Sequence, residues 1–144
     1  MTPQTPNSNV PATADFAAQI KPLLTDLLYP SESDEPIEAV ETTLPPMATL
    51  TVSHVKDWLM LPPSVYVEDR PEADFWSPVV TLEDWFGEEE KATAKRFQTL
   101  KEAVEHLLTD RQVFRVGATE IDVYLLGKTA TGVWAGLKTK VVET

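Results

Sequence analysis

The sequence predicts an α+β fold in which helices flank a mainly antiparallel sheet. Apolar residues recur at helical spacing near the start of the chain and again after residue 88. The chain after residue 111 instead alternates between apolar and polar positions, as strands do. Because only short turn-like stretches separate these alternating segments, we expect neighbouring strands to pair as antiparallel hairpins.

The last stretch, TGVWAGLKTKVVET, shows the clearest strand pattern, and we regard it as the segment around which the chain is organised. It is rich in β-branched residues and lacks proline, so we expect it to lie inside a sheet rather than at its edge. The chain then stops at Glu143 and Thr144, which predicts carboxylates held at a fixed position. The alternative is a final strand that happens to end the gene.

The first third of the chain is predicted to contain a tail, a helix and a strand. Residues 1–11 are rich in Pro, Thr, Asn and Ser and are expected to be a disordered tail, with one domain over residues 12–144. A helix is predicted over residues 13–28, with Thr13 as its N-cap and a kink or second start at Pro22. The acidic turn SESDEP follows, and then a strand over residues 37–44.

The rest of the chain is predicted to alternate short elements with one long helix. Ser53 is a candidate cap for a helix over residues 53–61, and residues 65–67 suit a short strand. Residues 68–78 are acidic and contain prolines, which indicates a surface loop. Residues 81–84 resemble a capping box and place Trp85 one turn into a helix. Gly87 then precedes the main helix, residues 88–110, and strands are predicted over residues 112–116, 120–126 and 133–142.

The charge of the chain favours a basic protein partner over nucleic acid. Among 144 residues, 23 acidic against 12 basic side chains give a net charge of −11. Acidic residues are concentrated in residues 31–41 and 68–90. Direct binding to nucleic acid is disfavoured, because phosphate contacts require Lys and Arg. A basic protein, including a nucleic-acid enzyme with a basic groove, would be steered to such a surface. A solvated acidic surface kept for solubility is the alternative.

The sequence carries no pattern typical of catalysis, of a metal site of its own or of a cofactor. It has no cysteine, only two histidines, and no glycine-rich phosphate loop. It shows neither a secretory signal nor an apolar run long enough to span a membrane, so the expected location is the cytoplasm.

Three segments, in this order, resemble the nuclease A inhibitor family. They are LLYPSESDEPIE (residues 27–38), EDWFGEEEKATAKRFQTL (residues 83–100) and RQVFRVGATEIDVYLLGKTATGVWAGLKTKVVET (residues 111–144). The similarity spans most of the chain and is strongest in the last segment. Residues 47–63 show little similarity, and the N-terminal tail and residues 68–74 depart from the family pattern. Such departures would alter the rim of an interface more than its centre.

The resemblance implies both a fold and a function. The family fold is an α/β/α sandwich similar to that of the pathogenesis-related class 1 proteins (PR-1-like). Its members inhibit a sugar-non-specific, magnesium-dependent endonuclease of the ββα-metal type, in a one-to-one complex that blocks the active-site groove. The implied partner-binding residues are Glu32, Asp84, Trp85 and Thr144, the last through a carboxylate near the nuclease magnesium. An acidic adaptor or scaffold domain, which keeps the fold but binds another protein, is the alternative function.

Overall fold

A five-stranded antiparallel sheet forms the centre of the protein in a computed structural model that describes residues 12–42, 44, 49–130 and 132–143. The elements in chain order are α1 Ala12–Leu24, β1 Leu28–Tyr29, β2 Glu35–Pro36, β3 Glu38–Glu41, α2 Val52–Leu59, β4 Val67–Arg70, α3 Glu72–Val80, α4 Glu88–Leu107, β5 Thr109–Val116, β6 Glu120–Lys128 and β7 Trp134–Val142. The sheet has the order β3-β7-β6-β5-β4, and β1 and β2 form a separate hairpin. The predicted α+β class is confirmed.

Strand β7 lies inside the sheet, between β3 and β6, which confirms the prediction for the last stretch. Leu137 of β7 pairs with Ala39 on one side and with Leu125 on the other. Gly136 allows a close approach of the backbones, because a Cβ atom there would lie 1.8 Å from the Leu125 carbonyl oxygen. A strand paired on both sides can hold the residues at its end in a defined position.

Helices cover both faces of this sheet. On one face, α1, α3 and α4 contribute to a buried core that includes Ile20 and Leu100. On the opposite face, α2 contributes Val55 to a second core. Adjacent residues of β7 contribute to the two cores, since Trp134 belongs to the second core and Ala135 to the first. The first face is the one that carries the candidate site.

The first helix is shorter than its apolar pattern predicts. It ends at Leu24 rather than at residue 28, and Asp26 adopts a left-handed backbone conformation with φ of 59°. This reversal releases Leu28 and Tyr29 to pair with Pro36 and Glu35 in the β1–β2 hairpin. The SES sequence, residues 31–33, is therefore the turn region of a hairpin. The sequence predicted the turn but not the hairpin.

The prediction of a surface loop over residues 68–78 is wrong. Residues up to Arg70 belong to β4, and α3 follows from Glu72. Phe75 and Trp76 are buried, at 3% and 1% exposure. The prolines and acids that resemble a loop also suit a helix start, because Pro71 precedes the first turn and Glu72 complements the helix dipole there.

The helix predicted to begin at the Thr81 capping box is also absent. Thr81 instead closes α3, where its Oγ1 donates to the Ser77 carbonyl oxygen at 2.8 Å. The cap of the long helix lies further on, where Glu90 Oε1 accepts a hydrogen bond from Gly87 N at 2.9 Å. Residues 82–87 are therefore a connecting loop. Smaller corrections are that Thr51 rather than Ser53 caps α2, and that α4 ends at Leu107 rather than at residue 110.

Candidate functional site

The SES turn is attached to the end of β7 by the backbone and side chain of the turn itself. Ser31 Oγ donates to the Ser33 carbonyl oxygen at 2.6 Å and accepts from Ser33 N at 3.2 Å. The same oxygen accepts a hydrogen bond from Val142 N at 3.1 Å, and Glu32 N donates to the Val142 carbonyl oxygen at 3.4 Å. The exposed Glu32 is thus held directly beside the last residues of the chain.

The end of β7 is fixed on its other side as well. Glu143 N donates to the Thr119 carbonyl oxygen at 2.9 Å, in the turn between β5 and β6. The Glu143 carboxylate accepts from Arg115 Nη2 at 2.7 Å. Thr144, whose carboxylate was predicted to lie near the nuclease magnesium, is outside the described residues. The residue before it is held by two neighbouring strands and by the SES turn through Val142.

A chain of alternating charges runs from Glu143 across the sheet to α3. Arg115 lies between Glu143 and Glu68, whose carboxylate is 3.8 Å from Arg115 Nε. Arg70 lies 3.9 Å from the same Glu68 and 2.7 Å from Asp74. The hydrogen bond and charge of Asp74 raise the pKa of Arg70, with burial opposing the shift. Among the described residues, these acidic groups are partly neutralised within the protein itself.

A cleft of about 530 Å³ opens between the SES turn, α3 and the sheet. Its apolar lining includes Phe75, Val113 and Val141, while Glu32 and Arg115 also line it. The buried Tyr29 closes one side by donating its hydroxyl to the Phe75 carbonyl oxygen at 2.6 Å. Burial raises the pKa of Tyr29 from 10.0 to about 12, so this phenol is a neutral donor at physiological pH.

Trp85 is displayed on the loop between α3 and α4 and is 74% exposed. Its ring meets the edge of Phe86 with centroids 4.7 Å apart and planes at 87°. A turn bond from Phe86 N to the Glu83 carbonyl oxygen, 3.1 Å long, shapes this loop. Trp85 therefore lies in an exposed loop and not one turn into a helix, as the capping-box pattern predicted. Asp84, beside it, is exposed.

A second cleft, of about 490 Å³, connects the Trp85 loop to the hairpin that carries Glu32. Trp85 and Phe86 line it on one side and Asp34 on the other. Pro30 and Pro78 line both clefts, so the two clefts adjoin. The structure thus brings Glu32, Trp85 and the residues preceding Thr144 around one continuous surface. Asp84 lines neither cleft but neighbours Trp85 in the loop.

Two positioning residues of this surface were not identified from the sequence. Ser31 connects the turn to β7, and Arg115 holds Glu143. The Ser-Glu-Ser pattern is a signal for Ser31, because a serine hydroxyl readily bonds the backbone two residues on. No local signal exists for Arg115, whose role depends on the pairing of β5, β6 and β7.

The described part of the chain offers no group of three or more His, Cys, Asp or Glu residues suited to hold a metal ion. In the same residues, no helix is both long and apolar enough to cross a membrane. What the surface does present is exposed carboxylates beside an exposed tryptophan. These groups suit contact with another macromolecule.

The chain was also compared with known proteins. The family model described as nuclease A inhibitor-like protein matches residues 14–144, which is nearly the whole chain. No curated protein matches it. The matched region includes the SES turn, the loop that carries Asp84 and Trp85, and all of β7. The chain therefore belongs to the nuclease A inhibitor-like family.

Proposed function

We propose that this protein inhibits a sugar-non-specific, magnesium-dependent DNA and RNA endonuclease by occupying its active-site groove. The observation that carries the proposal is the adjacency of the SES turn, the Trp85 loop and the end of β7 around two adjoining clefts. Membership of the family supports the inhibitory role. The PR-1-like character of the family fold is extended to this chain as part of the same proposal.

Glu32 is proposed to take the place of a substrate phosphate. Its side chain is exposed on a turn whose backbone is held by Val142, so the carboxylate is presented from a defined position. A groove that binds phosphates is lined by Lys and Arg, which would pair with a carboxylate in the same way. Because the turn is fixed before binding, little conformational entropy is lost when the complex forms.

Trp85 and Asp84 are proposed to anchor the second part of the interface. Trp85 is 74% exposed, and tryptophan is typical of the residues that dominate binding energy in protein interfaces. Asp84 adds a negative charge next to that anchor. Together with Glu32 they would bury a standard interface of about 1,600 Å² in a one-to-one complex.

Thr144 is proposed to act through its carboxylate. In a chain that ends at this residue, the terminal carboxylate would follow Glu143, whose backbone and side chain are both held. Magnesium prefers oxygen ligands and usually retains several waters. The carboxylate would therefore bind the nuclease magnesium directly or through one of those waters.

We further infer that the protein acts as a ligand rather than as an enzyme, and that it uses no metal or cofactor of its own. Its net charge of −11 disfavours contact with nucleic acid phosphates. The magnesium and the catalytic groups belong to the nuclease. Inhibition would then consist of keeping the substrate out of the groove.

The test is to titrate a purified sugar-non-specific ββα-metal nuclease with the protein while following DNA cleavage. The native protein should abolish cleavage at one molar equivalent. Glu32→Ala, Asp84→Ala and Trp85→Ala should each weaken binding by about 2 kcal/mol or more. Two matched controls lie on α2 or at its end, against the opposite face of the sheet: Asp57→Ala for charge and Met60→Ala for exposed apolar area. Both should inhibit like the native protein.

Failure of the folded native protein to inhibit would overturn the proposal and favour the adaptor function. Equal losses in the α2 controls would show that charge or general surface, rather than this site, determines binding. The role of Thr144 is tested with versions that end at Glu143 or extend beyond Thr144. Both should fold and inhibit less, and equal inhibition by all versions would exclude a role for the terminal carboxylate.

A further inference from the structure

The cleft beside Trp85 combines an apolar floor with an acidic border. Exposed apolar groups of Leu28, Pro78 and Trp85 line it. Asp34 lies on the hairpin side and Glu89 on the first turn of α4. We refer to this region as the Trp85 cleft. It joins two elements that are distant in the sequence, so its shape depends on the fold.

Four acidic residues line the Trp85 cleft, Asp26, Asp34, Glu89 and Glu90, and two of them, Asp34 and Glu89, border it from the hairpin and from α4. Within the part of the chain that the structure describes, neither the Asp34 nor the Glu89 side chain forms an ion pair or hydrogen bond. By contrast, Glu90 is engaged in capping Gly87 N. Arg96, a basic residue of the lining, donates to the Thr25 carbonyl oxygen. With four acidic side chains against the one guanidinium of Arg96, the lining of the cleft carries a net negative charge.

We propose that the Trp85 cleft receives an arginine side chain of the nuclease, an inference that rests on the proposed function and names the chemistry of its partner. The guanidinium would stack on the Trp85 ring and pair with Asp34 and Glu89. The methylene groups of the arginine would lie along Leu28 and Pro78. A guanidinium suits this site better than an ammonium, since it is planar, stacks on aromatic rings and binds carboxylates with two hydrogen bonds.

Charge complementarity excludes the other occupants of such a cleft. A purely apolar side chain would remove water from Asp34 and Glu89 without pairing them, which is unfavourable. A second copy of this chain would bring another protein of net charge −11 to the same border. A nuclease, in contrast, must carry basic residues along its groove to bind phosphates. An arginine that protrudes from that groove would match the apolar floor, the Trp85 ring and the acidic border of the cleft.

The first experiment needs no nuclease. The ¹⁵N-labelled protein is titrated with N-acetyl-L-arginine methylamide while the Trp85 indole N–H signal is followed by NMR. The signal should shift until the binding site is saturated, and the apolar probe N-acetyl-norleucine methylamide, which has an alkyl side chain but no guanidinium, should have no such effect. Glu89→Gln and Asp34→Asn should each weaken the arginine affinity by about threefold or more. Glu102→Gln on the same helix and Asp57→Asn on α2 are the matched controls and should bind normally.

No saturating shift up to the solubility limit of the probe would overturn the proposal, as would equal responses to both probes. Equal affinities of the Glu89 variant and its Glu102 control would also overturn it. A second experiment uses the complex, in which each groove arginine of the nuclease is replaced by alanine. One arginine should couple to Glu89→Gln in a double-mutant cycle, and no coupling for any arginine would contradict the assignment.

The two experiments separate the inference from the function on which it rests. If the native protein does not inhibit the nuclease, the proposed function fails, while the probe titration still decides whether the cleft selects a guanidinium. If the protein inhibits the nuclease, but the cleft does not bind the arginine probe and no nuclease arginine shows coupling to Glu89→Gln, the proposed function stands. The assignment of an arginine to the cleft is then wrong.

Discussion

At the scale of single residues, Ser31 has an influence that its size does not indicate. Its hydroxyl bonds Ser33 within the turn and Val142 at the end of β7. Together with the backbone bond from Glu32 N to the Val142 carbonyl oxygen, this hydroxyl positions Glu32 beside the end of β7. Preorganisation of this kind affects binding more than it affects stability.

Ser31→Ala removes these side-chain bonds and leaves the backbone bond from Glu32 N to the Val142 carbonyl oxygen between the turn and β7, so the turn should be held less firmly. We expect a loss of about 1 kcal/mol in the free energy of unfolding, and a weaker inhibition caused by the misplaced Glu32. Urea unfolding and the nuclease titration measure the two effects. Ser53→Ala, in the exposed first turn of α2, is the control and should change neither. Unchanged inhibition by Ser31→Ala would show that the turn needs no tether.

Tyr29 gives a prediction for alkaline pH. Burial raises its pKa from 10.0 to about 12, because the fold favours the neutral phenol that donates to Phe75. The stability due to this group is therefore complete below pH 10 and is lost as pH rises toward 12. Tyr29→Phe should be less stable than the native protein at pH 8, by about 1 kcal/mol. The difference in the free energy of unfolding between the native protein and Tyr29→Phe, measured by urea unfolding, should become smaller above pH 10. A difference that stays constant with pH would contradict the assignment.

At the scale of elements, α3 and the Trp85 loop each carry one tryptophan. The two residues are near each other in sequence, but one is buried in the core and the other is exposed to solvent. Trp76 is 1% exposed in α3, and its indole donates to Glu72 Oε2 at 2.9 Å. The same carboxylate binds Arg111 Nε at 2.8 Å and so attaches α3 to β5. Trp85, nine residues later, is 74% exposed.

Replacement of each tryptophan should therefore have separable effects. Trp76→Ala should lower the free energy of unfolding by about 3–5 kcal/mol, because a buried ring leaves a cavity. Trp85→Ala should change it by less than about 0.5 kcal/mol but should weaken inhibition. Denaturant unfolding and the nuclease titration are measured on both proteins. A large loss of stability in Trp85→Ala would mean that this ring packs in the fold rather than in an interface.

The long elements could be predicted from the sequence, whereas the short ones were predicted only in part: the helix α2 was expected and the helix α3 was not. Strands β5, β6 and β7 and helix α4 each repeat their apolar spacing over enough residues to determine the element type. Helix α3 spans nine residues, and its prolines and acids are shared with loops. The end of α1 depends on the left-handed Asp26, a position that asparagine or glycine would have marked more clearly.

The candidate site was predictable only through the resemblance. Composition and spacing single out neither Glu32 nor Asp84 among 23 acidic residues. Their arrangement depends on contacts between distant parts of the chain, such as Ser31 with Val142, which no local pattern encodes. The exposure of Trp85 likewise follows from where α3 ends and α4 begins, and the helix predicted to contain Trp85 did not locate either of these ends.

At the scale of the whole molecule, charge is distributed unevenly over the proposed interface. The net charge is −11, and the two segments richest in acids, residues 31–41 and 68–90, supply Glu32, Asp34, Asp84 and Glu89. Glu68 and Asp74 are paired with Arg70, whereas Asp34 and Glu89, in the described part of the chain, form no ion pair. Such a field attracts a basic groove over roughly the Debye length, about 8 Å at physiological salt.

The association rate should therefore fall as salt is raised, while the dissociation rate changes little. Stopped-flow measurements of the protein with the nuclease, at several salt concentrations, give both rates. Asp34→Asn should reduce the salt dependence more than Asp57→Asn, which removes the same charge from the opposite face. An association rate indifferent to salt would contradict steering by the acidic surface.

The central claim, that the protein occupies the substrate groove, is tested most directly by the onset of nuclease inhibition at increasing DNA concentration. The nuclease is mixed at once with the protein and DNA, and the decay of the cleavage rate is followed. If the protein and DNA compete for the groove, the rate at which inhibition sets in should fall as the fraction of nuclease occupied by DNA rises. One equivalent of protein should nevertheless stop cleavage in the end. An onset rate independent of DNA concentration would place the protein elsewhere on the nuclease and contradict the account.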